Sequence, residues 1–373
     1  MQSNNKNILF LGPYRQNDGW GLAARDYVRS LLTTGHNIHC QPVYMSNNIS
    51  PAQEIESDIL ASENNTLQTY DIVIQNVLPE MVCKTHLYNI GLFYIENDNF
   101  FSDTIFNLNL LDEIWVSSNM ERNSLLSAGI KTPIKVIGHP VVTKPHNKSS
   151  SNISLPKLYN DYYKFYFIGE HIQRKNIKDT ILAFNLEFDT TEKVALIIKT
   201  SIPGFDEQTA NEILIKESVN IKQKIRFKQS FHKELFITNR LTNDQLINLH
   251  ALCDCFVTTS YAEAMCRPAA EALCMGNPVI ISKGIGLAEY VSDDDKFLIE
   301  SYKQPVLLNN PQEMGALDIY NANEQWSIPC INSIREQMRL AYNKKHKINI
   351  NNNKYTKQFS IQNIGKAICE AIA

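Results

Sequence analysis

The sequence predicts an α/β protein made of two doubly wound, Rossmann-like domains, and three observations lead to this fold class. The chain has 373 residues, of which 43% are hydrophobic, so it is too long for one ordinary core and suits two domains of about 150–180 residues each. Short apolar runs alternate with amphipathic stretches, as in parallel βαβ units. The alternation stops once, in a polar stretch rich in Ser, Asn, Lys and Pro, and then restarts.

The first predicted domain covers residues 1–142. Its amphipathic helices are expected at 22–34 and 119–128, and each is followed by a glycine, which suits a helix C-terminus. Its strands are expected at the apolar runs 8–12, 38–44, 70–77, 90–96, 113–117 and 134–137. The polar stretch that follows, 143–160, has the composition of a linker.

The second predicted domain covers residues 161–345. Its strands are expected at 165–169, 194–199, 255–259, 278–282 and 297–300. Its helices are expected at 177–188, 206–219, 244–251 and 268–275. Ligands bind at the carboxyl ends of the strands in such sheets, so a central cleft between the domains is the expected ligand site. The C-terminal helix, within 355–373, is expected to cross back to the first domain.

Composition and charge exclude several other classes of protein. The net charge is -3 and the isoelectric point is near 6.3, whereas a protein whose main task is to grip nucleic acid usually carries a basic excess. No run approaches the roughly 20 apolar residues that span a bilayer. The polar start of the chain does not resemble a secretory signal. We therefore expect a cytoplasmic protein with at most peripheral membrane contact.

Cysteines and acidic runs do not predict a metal site. The eight cysteines are scattered, and their one close pair, Cys253 and Cys255, is expected to flank a buried strand as small hydrophobic residues. The acidic run Asp293-Asp294-Asp295 lies between a short helix and a strand, where an acidic turn is expected. We expect no metal and no cofactor.

The strongest chemical signal lies in residues 260–280. Pro268 suits the first turn of a helix, and Gly276 suits its C-terminal cap. This places Glu263 in the loop before the helix and Glu271 in the first turn of the helix. Carboxylates there could hold sugar or ribose hydroxyls, beside a helix N-terminus that favours a diphosphate. On spacing alone, a solvated Glu263 and a Glu271 that merely complements the helix dipole are equally good interpretations.

This block resembles the E-x7-E signature of glycosyltransferase family 4, whose members are retaining enzymes with the GT-B fold. The matching residues are Ser260, Glu263, Pro268, Glu271, Ala272, Gly276, Pro278, Val279 and Ile280. The chain departs from the pattern at Ala264, Cys266 and Arg267, where the family often has Gly, Gly and Leu. The resemblance implies that Glu263 holds hydroxyls of the transferred sugar and that Glu271 holds the ribose. Donor-binding residues are then also expected at Met265, Cys266 and Arg267.

A second resemblance lies in residues 166–176, where Arg174-Lys175-Asn176 precedes a helix as in the same family. A departing nucleoside diphosphate gathers negative charge, and two fixed cations can stabilise it without a metal ion. We therefore expect Arg174 and Lys175 to act in catalysis together with Glu263. The alternative is a solvated basic pair on the surface.

The remaining candidate site residues rest on weaker patterns. Gly19 and Gly21 precede the predicted helix 22–34, and a similar glycine loop in the family faces the donor phosphates, so Gly21 is a donor-binding candidate. An ordinary turn is the alternative. Arg240 is expected near the base of the nucleotide. The acceptor-pocket candidates at strand ends of the first domain are Glu96, Asp98 and His139, for which a solvated turn and a structural histidine are the alternatives.

The function that the resemblance implies is transfer of a hexose-type sugar from a nucleotide-diphosphate sugar, with UDP-sugar favoured. The acceptor is a hydroxyl of a glycan, a lipid-linked molecule or another compound. The alternatives are a GDP-mannose-dependent mannosyltransferase, a GT-B nucleotide-sugar epimerase, and a non-catalytic subunit that binds nucleotide sugar. The leaving phosphate oxygen can accept the proton of the acceptor, so no separate catalytic base is expected.

Overall fold

The computed structural model describes residues 5–45, 49–50, 55–96, 98–143, 153–307 and 323–373. The chain divides into two compact units. The first is formed by Met1–Val142, Ile319–Glu324 and Thr356–Ala373, and the second by Thr143–Asp318 and Gln325–Tyr355.

The first unit is built on a parallel sheet of six strands in the order β2-β1-β3-β4-β5-β6. The strands are β1 (Asn7–Gly12), β2 (Asn37–Pro42), β3 (Ile72–Gln75), β4 (Tyr88–Leu92), β5 (Glu113–Val116) and β6 (Ile134–Val136). The helices between them are α1 (Gly19–Leu32), α2 (Ser57–Asn64), α3 (Ser102–Leu108) and α4 (Asn119–Ser127). Every strand that the sequence predicted here is present, and α2 and α3 were not predicted.

The second unit repeats this plan with the strand order β12-β11-β10-β7-β8-β9. The strands are β7 (Tyr163–Ile168), β8 (Val194–Lys199), β9 (Leu235–Ile237), β10 (Cys255–Val257), β11 (Val279–Ser282) and β12 (Lys296–Ile299). The helices are α5 (Ile177–Glu187), α6 (Glu207–Gln223), α7 (Asn243–Leu252), α8 (Arg267–Cys274) and α9 (Ile331–Lys344). An antiparallel pair, β13 (Ser301–Pro305) and β14 (Gln325–Pro329), accompanies this sheet.

The chain ends in two helices, α10 (Lys354–Gln358) and α11 (Ile361–Ile372). Ile364 and Ile368 of α11 are buried in the same core as β1 and α1 of the first unit. Gly365 allows α11 to approach the C-terminal end of α1 closely, since a Cβ atom at this position would lie 1.9 Å from Oγ1 of Thr33. The predicted return of the C-terminal helix to the first domain is confirmed.

The strand orders locate where ligands are expected to bind. In the first sheet β1 lies between β2 and β3, and in the second sheet β7 lies between β8 and β10. Connections leave such a strand towards opposite faces of the sheet, and a crevice opens at the carboxyl ends. The loop after β1 leads to Gly21 in α1, the loop after β7 carries the basic pair, and the loop after β10 carries Glu263.

The Asn-rich segment before α10 is hydrogen-bonded to neighbouring parts of the second unit. The Lys347 ammonium donates to the carbonyl of Cys253 at 2.9 Å and to Oδ1 of Asn277 at 2.6 Å. The buried amide of Asn353 donates to the carbonyl of Leu273 at 2.7 Å. The polar side chains of this segment therefore form hydrogen bonds within the second unit.

A fully buried carboxyl group, Glu121 of α4, ties together the loops after β4 and β5. Its Oε1 accepts from the Ile95 amide at 2.8 Å, and its Oε2 accepts from the Ser117 amide at 2.9 Å and the Ser118 hydroxyl at 3.0 Å. Burial raises the pKa of Glu121 to about 7, although these hydrogen bonds favour the carboxylate.

We expect Glu121 to make the first unit less stable as the pH rises. Between about pH 4.5 and about pH 7 the folded protein keeps a proton that the unfolded chain has lost, so the free energy of unfolding falls across this window. Across this window the free energy of unfolding falls by about 3 kcal/mol in total. Denaturant titrations at several pH values should show this slope in the native protein and a flatter one in Glu121→Gln. Equal slopes in the two proteins would contradict the assignment.

Candidate active site

The turn from β10 into α8 has the local structure that the sequence predicted. Pro268 lies in the first turn of α8, where its missing N–H costs no hydrogen bond. The helix ends at Cys274, and Gly276 follows its cap with a φ of 90°, the left-handed conformation that glycine adopts readily. The amide of Gly276 donates to Leu273 at 3.1 Å and that of Asn277 donates to Ala272 at 2.9 Å, which is a Schellman motif.

Within this helix Glu271 lies just after the first turn, one residue later than predicted. Helix α8 begins at Arg267, so Glu271 is its fifth residue, and the first turn contains no acidic residue. The prediction that Glu271 lies in the first turn was therefore wrong by one residue. The carboxylate instead faces Arg267, four residues earlier on the same side of the helix.

The loop from β7 into α5 is fastened to the loop that follows β10. Residues Gln173–Lys175 form a 3-10 turn, and Asn176 then takes the left-handed conformation with φ 51°. The Asn176 amide group donates to the Thr259 carbonyl at 3.2 Å, and the Thr259 hydroxyl donates to the Asn176 carbonyl at 2.7 Å. These reciprocal bonds hold Arg174 and Lys175 against the loop that carries Glu263.

The structure brings Glu263, Arg174 and Lys175 together as the sequence analysis proposed. Nζ of Lys175 lies 2.5 Å from Oε1 of Glu263, and Nη1 of Arg174 lies 3.5 Å from Oε2. The Arg174 guanidinium also donates to the Ala262 carbonyl at 2.6 Å. The Glu263 side chain is only 5% exposed, so the alternative of a solvated glutamate is wrong, and so is that of a solvated basic pair.

Electrostatics keep the Glu263 carboxylate ionised. Burial of this carboxyl group opposes its ionisation, but the charges of Lys175 and Arg174 outweigh the burial and lower its pKa below the ordinary value. The arrangement is a buried anion held by two cations, and the Lys175 ammonium uses one of its three N–H donors on Glu263.

The second carboxylate, Glu271, has partners of its own. Nε of Arg267 lies 2.8 Å from its Oε1, and Nε2 of His250 lies 3.3 Å from its Oε2. Burial opposes ionisation here too, but the Arg267 charge and the His250 hydrogen bond lower the pKa of Glu271. The group therefore does more than complement a helix dipole.

His250 connects Glu271 to a buried chain of polar groups that the sequence analysis missed. The Tyr166 hydroxyl lies 2.7 Å from Nδ1 of His250 and accepts a hydrogen bond from the Asn277 amide at 2.9 Å. If the Tyr166 proton points to Nδ1, then Nε2 carries the histidine proton and donates it to Glu271. Tyr166 and His250 are 84 residues apart, and no local pattern reveals that they pair.

The departures from the family pattern lie beside Glu263. Cys266 has a left-handed backbone with φ 53°, a conformation suited to the glycine that the family often has there. Burial raises the pKa of its thiol to about 12, so the sulfur is a neutral packing group and not a nucleophile. Ala264 and Met265 are also buried.

Gly21 does not occupy the position that the sequence predicted. Helix α1 begins at Gly19, so Gly21 lies inside its first turn, and its amide donates to Oδ1 of Asp18 at 2.9 Å. A Cβ atom at Gly21 would lie 1.9 Å from the Gln16 carbonyl oxygen. The glycine is thus required for close backbone contact, and its role in donor binding stays a prediction.

The other candidate residues occupy varied positions. Arg240 lies on the exposed loop between β9 and α7, where its backbone amide donates to Glu207 at 2.8 Å. In the first unit, Glu96 is half-buried and Asp98 is exposed. His139 is buried, with Nδ1 2.7 Å from the Pro140 carbonyl oxygen. The roles of these four residues stay predictions.

An aromatic cluster beside His139 was not predicted. The ring of Tyr94 lies 5.6 Å from that of His139 and 4.8 Å from that of Trp20, which it meets edge to face. Trp20 and Tyr94 are both half-buried. They follow the carboxyl ends of β1 and β4, so the cluster lies at the edge of the sheet where ligands are expected.

The described residues include neither a metal-binding cluster nor a membrane-spanning helix. Within the described ranges, no three or more His, Cys, Asp and Glu side chains are grouped so that they could hold a metal ion. The helices of the same ranges include none that combines the length and the apolar composition needed to cross a bilayer.

Comparison with solved structures defines the fold. HepE of Anabaena in complex with UDP and glucose aligns over 99% of both chains, with 17% identity and a TM-score of 0.59. The E. coli trehalose-6-phosphate structure bound with UDP-2-fluoro glucose aligns over 98% of both chains, with 11% identity and a TM-score of 0.62. Sucrose-phosphate synthase from Thermosynechococcus elongatus aligns over 98% of this chain and 94% of its own, with 14% identity and a TM-score of 0.59. The two parallel-sheet units form a GT-B fold.

The sequence comparison concerns the second unit. Residues 153–310 match the family model of glycosyl transferases group 1, and this segment contains Lys175, Glu263 and Glu271. No curated protein matches the chain. The family match and the fold together support a glycosyltransferase of the GT-B class.

Proposed function

We propose that this protein is a retaining hexosyltransferase that uses a nucleotide-diphosphate sugar, preferably a UDP-sugar, and needs no metal ion. The observation that carries the proposal is the convergence of Arg174 and Lys175 on the buried Glu263 carboxylate, at the carboxyl edge of the second sheet. HepE and the E. coli structure were solved with UDP or a UDP-sugar analogue, which favours UDP over GDP.

In this proposal the donor is held by two carboxylates with separate tasks. Glu263 accepts hydrogen bonds from hydroxyls of the transferred sugar, and Glu271 accepts them from the ribose hydroxyls. Both groups are ionised, so each offers acceptors only, which suits vicinal hydroxyls. Arg267 and Met265 complete the donor pocket around α8.

Catalysis follows from charge development on the leaving group. The bond from the anomeric carbon to the diphosphate breaks, and the bond to the acceptor oxygen forms on the same face of the sugar. The departing phosphate oxygen takes the acceptor proton, so the products are the glycoside and the nucleoside diphosphate. Lys175 has three N–H donors and can hold Glu263 and a phosphate oxygen at once, while Arg174 adds a second cation.

The test is to incubate the protein with UDP-glucose or GDP-mannose and a panel of hydroxyl acceptors, and to follow release of the nucleoside diphosphate. We expect acceptor-dependent release of UDP and a product with retained anomeric configuration by NMR. A donor at 100 times its dissociation constant should also stabilise the fold by about 2.7 kcal/mol.

Three outcomes would replace the proposal with an alternative. Transfer from GDP-mannose to an acceptor, with no transfer from UDP-glucose, would make the protein a mannosyltransferase. A rearranged donor in the absence of acceptor would make it an epimerase. Nucleotide binding without turnover across the panel would make it a binding subunit, an interpretation that the non-glycine residue Cys266 at a left-handed position favours.

A further inference from the structure

Helix α6 exposes apolar side chains on its outer face. It buries Ala210, Leu214, Ser218 and Ile221 against its own unit. Beside this buried stripe Ile215 is 47% exposed and Val219 is 45% exposed, at a spacing of four residues that places them one above the other. The outer face of a helix in a globular protein is ordinarily polar and charged, so this face needs an explanation.

The chain that leaves α6 is strongly basic. Residues 218–233 contain five Lys or Arg residues and no Asp or Glu, in a chain whose net charge is -3. Two of these cations have internal partners, since Lys222 pairs with Glu234 at 2.6 Å and Lys228 donates to the Asn185 carbonyl at 2.9 Å. The other three cations extend into solvent.

The exposed cations surround a shallow depression and an exposed ring. Lys224 and Arg226 are exposed, make no ion pair within the described residues, and line the depression together with Asn220 and Gln223. Phe227 lies between Arg226 and Lys228 in the sequence. Its side chain is 78% exposed, the largest exposed fraction among the exposed large hydrophobic side chains of the described residues. A ring so exposed between two cations is not explained by packing in this unit.

This surface lies away from the candidate active site. Helix α6 leads from β8 to β9, which are parallel, so it runs back from the carboxyl edge of the sheet to the amino edge. Lys175 and Glu263 follow strands at the carboxyl edge. A ligand on the end of α6 would therefore leave the donor-binding residues free.

We propose that Ile215, Val219, Lys224, Arg226 and Phe227, the α6 surface, dock on a bilayer that contains anionic phospholipid. Cations beside an anionic membrane are attracted to the headgroups, and the depression lined by Lys224 and Arg226 accepts a phosphate group. Phe227 and the two aliphatic side chains enter the interface between headgroups and acyl chains. The aliphatic residues favour a lipid surface over a nucleic acid, which would be bound by charge and aromatic stacking.

Vesicle sedimentation with the full-length protein tests the proposal. We expect binding to phosphatidylcholine vesicles that contain phosphatidylglycerol, weaker binding at high salt, and little binding to phosphatidylcholine alone. The double variant Lys224→Glu/Arg226→Glu should lower the partition coefficient by about 30-fold or more, since each cation near an anionic surface contributes about fivefold. Phe227→Ala should lower it by about fivefold.

A matched control separates the surface from net charge. Arg122→Glu/Lys131→Glu makes the same change in net charge at two exposed residues of the first unit and should leave vesicle binding within about twofold. Thermal unfolding confirms that each variant is folded. Equal binding to both kinds of vesicle, or equal loss in the control, overturns the proposal. Tight binding to single-stranded RNA without vesicle binding also overturns it and makes the surface a polyanion site.

Discussion

Replacing Lys175 with alanine should lower kcat for sugar transfer by about 100- to 1000-fold, the usual cost of losing one fixed charge contact in a transition state. Nζ of Lys175 lies 2.5 Å from Glu263, and the residue belongs to a turn that is bonded to the neighbouring loop. Its position is thus fixed before the substrate arrives. The leaving diphosphate gains negative charge only as the reaction proceeds, so the loss should fall mainly on kcat and less on KM.

The control for this variant lies one turn along the chain. Lys178 is 62% exposed and pairs with Glu217 at 2.8 Å, so Lys178→Ala removes the same charge without touching Glu263. Steady-state kinetics should show near-normal kcat for Lys178→Ala. Lys175→Arg should recover part of the loss, because a cation is restored. Near-normal turnover of Lys175→Ala would remove Lys175 from the catalytic residues.

Replacing Glu271 with alanine should have the largest effect on stability. It leaves the Arg267 guanidinium, whose side chain is 10% exposed, without its carboxylate, and His250 without its acceptor. Breaking a buried ion pair from one side ordinarily lowers the free energy of unfolding by about 3–5 kcal/mol. Donor KM should rise as well, since the proposed ribose contact is lost. Denaturant titration and steady-state kinetics measure the two effects.

A double variant separates the two roles of Glu271. Arg267→Leu/Glu271→Leu replaces both charges with apolar groups, which is often neutral for stability. We expect its free energy of unfolding to recover most of the loss while its donor KM stays high. Recovery of both quantities would mean that Glu271 is a structural residue that does not contact the donor.

The sequence predicted the sheets well because long apolar runs and helix ends leave local signals. All six strands of the first unit and helix α8 with its two ends were located from patterns of this kind. Strand β9 was missed because its apolar run is only three residues long and is half-buried. Helix α1 begins three residues before its predicted start because the Asp18 side chain caps it, which places Gly21 inside the helix.

The candidate site residues that belong to family-like motifs could be predicted from the sequence. The contacts between residues that are far apart in the sequence could not. Glu263 and Lys175 were proposed from separate motifs, and the structure joins them across 88 residues. The partners of Glu271 were not found, because His250 lies in an ordinary apolar helix pattern. The exact start of α8 also mattered, because a helix that begins at Arg267 places Glu271 four residues later, on the same side as Arg267.

The polar chain from Glu271 to Asn277 has a consequence for how donor choice could change. His250 belongs to α7, Glu271 to α8 and Tyr166 to β7, and Asn277 bonds to both Tyr166 and the His250 carbonyl. The orientation of one carboxylate is therefore set by three separate parts of the interior. Changing the nucleoside preference of this protein would require coordinated substitutions in these parts. A single substitution at Glu271 would leave its buried hydrogen-bonding partners without their acceptor.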